Sequence, residues 1–498
     1  MERISRENGI LFHISALPGK YGIGTMGKEA YRFVDFLTSC KVNIWQLLPL
    51  NLTSYGDSPY QSPSSTGLNY YLIDLDTLIE KKLLTRKEVE SFDFGSDESR
   101  VNYGLLFDNR AKVLKIAFSR YNKNNRSFLE FVKKGKYSDF AFFMTMKEKN
   151  HFSPWYEWEE KERFYSPILE ERIKKEYKET YLFYLWTQYE FLQQFKALKS
   201  YANRNGISIM GDLPLYLARD SVEAYKYPEM FLFDEKHNPT VVAGVPPDYF
   251  NENGQLWGNP IYNWEKMRED NFAWWNERIR SNFELFDIVR IDHFRGIAAY
   301  YVIPFGAENA KNGEWRDGPS VSLFEDKKDL PIVAEDLGFI DDKVRYLLQE
   351  TGYPGMKILE FAFDGDPKND HKPSNAKYNF IAYTGTHDNE PLLSYLENLD
   401  EKGLEVFKKD VKKECKLFAV PYQDKDLKSL VKTVVSLCYA TPCRLAILPM
   451  ADLLALGKEA RINTPAELNG INWTYRYKKE DFTASLKNFI LKNVETYR

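Results

Sequence analysis

The sequence predicts an α/β protein folded as a (β/α)8 TIM barrel with inserted subdomains. Three observations carry this. Eight short β-rich runs end in polar residues or turn signals. Helix-like segments alternate with them. Several of the runs also end in charged residues, and barrels of this type place their chemistry at the C-terminal ends of the strands.

In order, the first run is ILFHISAL (10–17), followed by a helical pattern in KEAYRFVDFLTSC (28–40). The second is VNIWQLLPL (42–50). The third, ISIMGDLPLY (207–216), follows a long helical segment at 179–206 with Leu185, Tyr189, Leu192 and Phe195 on one face. FDIVRID (286–292) is fourth and PIVAEDL (331–337) fifth. A helix is expected over 341–352 with Gly352 as its C-cap, leading to the sixth run, MKILEFAF (356–363). NFIAYTGTHD (379–388) and RLAILPM (444–450) complete the set. Near-continuous apolar runs fit a parallel sheet covered on both faces.

The spacing is uneven. Roughly 155 residues separate runs two and three and about 70 separate runs three and four, gaps that call for inserted helices rather than bare loops. The expectation is one catalytic barrel over 1–498, with insertions at about 52–206 and about 217–285. About 45 residues follow the eighth run, too few for an appended β-sandwich, so no C-terminal β-domain is expected. The charge at 159–180 reads as a solvated helix.

Bulk properties narrow the function. The chain has 498 residues, 43% hydrophobic and 28% charged, enough for a large core. A net charge of −4 gives no basic field for nucleic acid or an anionic membrane. No apolar run is long enough for a membrane helix, and no secretion signal is visible. Cys40, Cys415, Cys438 and Cys443 form neither a disulfide framework nor a paired CxxC site. A cytoplasmic enzyme with free thiols is expected. Aromatic residues reach 15%, and some are expected to line a groove as well as the core.

FDIVRIDHFRG (286–296) poses the functional question, because a run that should be buried carries Arg290, Asp292, His293 and Arg295. Burying such groups is costly unless they are paired or wet. The third run ends near Asp212, the fifth in Glu335 and Asp336, the seventh in His387 and Asp388. Carboxylates across a cleft suit glycosidic-bond chemistry, one attacking the anomeric carbon and one protonating the leaving oxygen. Arg290 beside Asp292 is expected to keep that carboxylate ionised, and burial should raise Glu335 so that it keeps a proton. The competing reading is an ion-pair network that staples the barrel mouth. His293 and Arg295 read as supports of the loop that follows.

SYGDSPYQS (54–62), VVAGVPPDYF (241–250) and GQLWGNPIYNW (254–264) mix aromatic, amide and carboxylate groups, as a sugar site requires. Gly22, Gly24 and Gly27 form G-x-G-x-x-G, but LPGKY separates them from the preceding run and no acid ends the second run. They read as turn and packing glycines. Asp292, His293, His387 and Asp388 lack metal-ligand spacing, and no metal is expected.

Together with GDLPLY, DIVRIDHFRG, AEDLG, PGMKILEFAF, TGTHDN and EARINTP, these loops resemble the 4-α-glucanotransferases called amylomaltases or disproportionating enzymes, glycoside hydrolase family 77. The resemblance runs from about residue 8 to residue 476. It implies a barrel without a C-terminal β-domain and a retaining double displacement without a cofactor. It implies Asp292 as nucleophile, Glu335 as general acid/base and Asp388 as the residue holding the distorted sugar. Arg290 and His387 would assist there. Asp212, Tyr55, Asp57, Gln255, Trp257, Asn463 and Pro465 would line the subsites. Donors would be malto-oligosaccharides or amylose, and acceptors glucose or malto-oligosaccharides. An α-glucan hydrolase with the same site is the alternative. The chain departs from the family pattern in QSPSSTGLNYYLIDL (61–75), and at Glu360, Glu390 and Tyr475.

Overall fold

The structure is a computed structural model that describes residues 6–54, 56–247 and 252–498. Eight parallel strands form the barrel: β1 (Glu7–Leu11), β2 (Ile44–Gln46), β3 (Ser208–Leu213), β4 (Ile288–Ile291), β5 (Ile332–Ala334), β6 (Gly355–Ile358), β7 (Phe380–Tyr383) and β8 (Leu445–Pro449). Hydrogen-bonded neighbours run β6-β7-β8-β1-β2-β3-β4-β5. The seam between β5 and β6 is narrowed by the Ala334 N–H, which donates to the Pro354 carbonyl at 2.9 Å. It is narrowed again by Met356 N–H, which donates to Asp336 Oδ1 at 2.6 Å. The sheet is therefore a nearly closed TIM barrel.

Each predicted run overlaps a strand, but the strands are shorter. They stop where side chains must turn into the mouth. The first run starts late by comparison, since β1 opens at Glu7 and residues 14–16 form a 3-10 turn. The three predicted helices appear at Lys28–Ser39, Lys178–Arg204 and Asp342–Thr351. Gly352 caps the last with φ 70°, a left-handed conformation that suits glycine. On the long helix, Leu185, Leu192 and Phe195 are buried and Tyr189 packs against the same core.

Between β2 and β3 the chain forms a helical assembly ending in that long helix. The charged stretch there is not wholly solvated: Glu162 is buried against Lys149 at 2.8 Å. A four-stranded antiparallel sheet, absent from the sequence reading, joins Gln255–Pro260, Val241–Val245, Ala299–Pro304 and Glu314–Asp317 in that order. After β8 the chain ends in the helix Ala484–Tyr497. Among the described residues no helix is long and apolar enough to cross a membrane. All four cysteines are buried and unpaired.

The glycine motif has a steric cause. A Cβ on Gly24 would lie 1.9 Å from the Ile14 carbonyl oxygen, and one on Gly27 2.2 Å from Asp74 Oδ1.

Candidate active site

The site starts from sheet register. Arg290 pairs with Val333 and Ile291 with Ala334 across β4 and β5. Asp292 and Glu335 are the next residues on each strand, and the Glu335 N–H donates to the Ile291 carbonyl at 3.1 Å. Neighbouring strands lie about 4.8 Å apart, so the two carboxylates leave the barrel side by side.

Arg290 lies between the carboxylates of Asp212 and Asp292. Its Nη1 donates to both oxygens of Asp212 at 2.7 Å and meets Asp292 Oδ1 at 3.1 Å. Asp212 also accepts from the Tyr60 hydroxyl at 2.7 Å. Arg290 and Asp212 are sealed, at 3% and 0% side-chain exposure, whereas Asp292 is 24% exposed. The inner pair anchors; the outer carboxylate faces the cleft.

Glu335 accepts two backbone hydrogen bonds, from His293 N–H at 2.7 Å and Leu337 N–H at 2.9 Å. His293 is held at φ 48°, which costs strain in a non-glycine residue. That turn aims its N–H at Glu335 and its ring at Trp257, edge-on at 4.8 Å. Burial holds its imidazole down to about 3, with Arg295 adding to the effect. His293 thus touches the site directly, while Arg295 stacks on Trp315 at 3.9 Å and pairs with Asp341, away from it.

Burial pushes the Asp292 carboxyl well above the usual range, against Arg290 and with Asp212, Glu335 and Asp388 adding to the rise. The expectation that Arg290 keeps Asp292 ionised is corrected here: burial outweighs the guanidinium, which Asp212 also engages. Burial also raises Glu335, opposed by Arg290 and the two N–H donors. Asp336, at the same strand end, turns away to the β5–β6 seam.

Across the mouth, Asp388 is 41% exposed, and His387 Nε2 lies 3.3 Å from its Oδ2. Burial lowers His387, opposed by Asp388. Asn463 donates to Asp388 Oδ1 at 2.7 Å, and Pro465 sits half-buried two residues on. Gln255 and Trp257 lie on the antiparallel sheet, the indole N–H donating to Gln255 Oε1 at 3.0 Å. Burial raises Asp57 to about 6. Its charge reaches Tyr103, whose hydroxyl donates to the Trp473 carbonyl at 3.1 Å. Tyr55, residues 248–250 of the 241–250 loop and the residue that follows them lie outside the described residues.

Four residues belong to this mouth that the sequence reading did not single out. Tyr60 stacks on His387, 5.1 Å between centroids and 11° apart, and Trp473 packs on both rings. Arg461 donates to the Asp388 carbonyl at 3.2 Å. His13, just past β1, is buried and electrostatically coupled to His387. Tyr60 and Arg461 stand inside motifs quoted above. His13 shares the strand-end position of Asp212 and Glu335, which was its available signal. Among the described residues no cluster of three or more His, Cys, Asp or Glu is placed to hold a metal ion.

Carboxylates around Arg290 at a barrel mouth, walled by aromatic rings, fit a carbohydrate-processing barrel enzyme. The comparisons agree. A family profile described as 4-alpha-glucanotransferase matches residues 12–482. The 4-alpha-glucanotransferase of Clostridium butyricum is 42% identical over 97% of this chain and 99% of its own. That of Thermus thermophilus is 38% identical over 95% of each chain. The amylomaltase of Streptococcus agalactiae, solved in complex with acarbose, superposes with a TM-score of 0.93 at 39% identity, covering 99% of both chains. The chain belongs to the 4-alpha-glucanotransferase family, and it is an enzyme of the amylomaltase type.

Proposed function

We propose that the enzyme transfers α-1,4-glucan segments between malto-oligosaccharides by a retaining double displacement. Asp292 attacks the anomeric carbon and forms a glycosyl-enzyme, while Glu335 protonates the departing glycosidic oxygen. Glu335 then takes a proton from the acceptor's 4-hydroxyl, which displaces Asp292. Donors are malto-oligosaccharides or amylose. Acceptors are glucose or another malto-oligosaccharide. We also place the enzyme in the cytoplasm.

The observation that carries this reading is the register-adjacent pair Asp292 and Glu335, both raised by burial. Two such carboxyls share one proton, and their titration belongs to the pair. Arg290, 3.1 Å from Asp292, opposes the effect of burial on both carboxyls and favours their ionised forms. The N–H groups of His293 and Leu337 receive the carboxylate that Glu335 becomes after donating its proton. A retaining mechanism requires a carboxyl separation of about 5 Å, which the strand spacing supports. Asp388, held between His387 and Asn463, binds hydroxyls of the distorted sugar. Asp57, Gln255, Trp257, Pro465 and Tyr55 extend the subsites.

Incubation with maltotriose is the test. Transfer yields glucose together with longer oligosaccharides. A ladder of shorter products alone would assign a hydrolase instead.

A further inference from the structure

Glu360 follows β6 and lies beneath the loop that leaves β7. It is 5% exposed. One carboxyl oxygen accepts from Asn389 Nδ2 at 3.0 Å; the other, Oε2, is buried with no hydrogen-bond partner. The backbone N–H of Glu360 donates to the Thr384 carbonyl at 3.0 Å, so strand and loop are tied at the same point. Gly385 lies close over the carboxyl: a Cβ there would sit 3.4 Å from Oε2 and 3.2 Å from Asn389 Cβ.

Asn389 is the hinge pin of that loop. Its Oδ1 accepts from Thr386 N–H and from Thr386 Oγ1, each at 2.9 Å. The turn closed in this way carries His387 and Asp388. Asn389 therefore passes the placement of Glu360 directly to two residues of the mouth.

The charged and titratable groups facing Glu360 come from four elements. Asp452, on the helix after β8, accepts from Thr384 Oγ1 at 2.5 Å and Leu392 N–H at 2.8 Å. Glu390 comes from the loop itself and Tyr395 from the helix Leu392–Asn398. Arg461, from the C-terminal loop, is the cation among the described residues that acts on Glu360. It is engaged by Glu390 Oε1 at 3.1 Å and by the Asp388 and Asn463 carbonyls. A carboxylate at Glu360 would face two acids with one hydrogen bond and no free cation. The neutral acid fits the site, and burial accordingly raises Glu360 to about 8.

We propose that Glu360 is a positioning residue that works as a neutral acid, and that its ionisation loosens the Thr386–Asn389 turn and weakens sugar binding. The proposal rests on the reading of His387 and Asp388 as sugar-binding residues, and it adds an alkaline limit to that binding.

Glu335→Gln provides a background in which the acid/base no longer titrates. Maltotriose affinity is measured by calorimetry from pH 6 to pH 9.5 in Glu335→Gln and in Glu335→Gln/Glu360→Gln. Glu360 is neutral below about pH 8 and ionised above it, so affinity in the single variant should fall about tenfold, the change one pK unit of coupling produces. The double variant should show no such fall, because Gln reproduces the neutral acid. Parallel profiles in the two proteins would overturn the proposal. So would a Glu360→Gln chain that fails to fold at pH 7, since the amide preserves shape and hydrogen bonds. Asp388→Ala in the same background at pH 7 separates the two readings: unchanged affinity there would remove Asp388 from the binding site, whatever Glu360 does.

Discussion

Two charge clusters in this molecule follow opposite rules. In the helical region between β2 and β3, Lys226 meets Asp139 at 2.5 Å and Glu170 at 2.9 Å, and Lys174 meets Glu170 at 2.5 Å. The Tyr165 and Tyr227 hydroxyls donate to the same two acids. Acids and bases balance. Burial pushes Glu170 up, but hydrogen bonds from Lys174, Tyr165 and Lys226 outweigh it and leave it lowered. At the barrel mouth three carboxylates, Asp212, Asp292 and Glu335, act on Arg290, Asp388 adds its charge to Asp292, and burial raises Asp292 and Glu335. Both clusters are ion-pair networks, but only one has surplus acid. A stapling network closes its charge account. A reaction centre leaves charge unsatisfied, ready for the transition state.

Substitutions should separate the two clusters. The largest effect is expected from Asp292→Asn, which should cut turnover on maltotriose by several orders of magnitude with thermal unfolding nearly unchanged, because no glycosyl-enzyme can form. Glu335→Gln comes next. It should fail on maltotriose yet recover much of its rate with a donor such as a glycosyl fluoride, whose leaving group needs no proton. The wild-type rate should fall as pH rises through the raised Glu335 pKa, because the acid form is lost. Glu335→Gln should lack that dependence with the activated donor. Asn463→Ala, which frees Asp388 Oδ1, should cost about 10-fold to 100-fold in kcat/KM, as loss of one aligned donor does. Lys226→Met, in the balanced cluster, should reverse the pattern: about 3 kcal/mol of stability lost in urea unfolding, with kcat of the folded enzyme unchanged. Arg126→Ala breaks a pair with Glu130 that is 92% exposed on the Arg side. It should move stability by less than about 0.5 kcal/mol.

The barrel was legible because its strands are short apolar runs whose hydrophobicity is set by burial on both faces. The reaction centre was legible because charges in such runs have few alternatives. What escaped was set by distant contacts. The strand Ala299–Pro304 reads AYYVIP and had adequate β character, but its partners lie in Val241–Val245 and Glu314–Asp317, and local pattern does not choose such pairings. GQLWGNPIYNW read as a loop because Gly258 and Pro260 interrupt it, although its first half is an edge strand. His293 looked like loop support until its φ and its N–H bond to Glu335 were visible. The sequence shows Arg290 two residues from Asp292, but neither the burial that outweighs it nor Asp212 bound to the same guanidinium.

The central claim is that the surplus charge at the mouth includes a nucleophile, Asp292. Mass spectrometry of Glu335→Gln quenched with acid during turnover of a maltosyl fluoride tests it most directly. The account predicts a maltosyl adduct on the peptide that contains Asp292, lost when Asp292→Asn is added. Steady turnover with no adduct there, or an adduct on another residue, would contradict it.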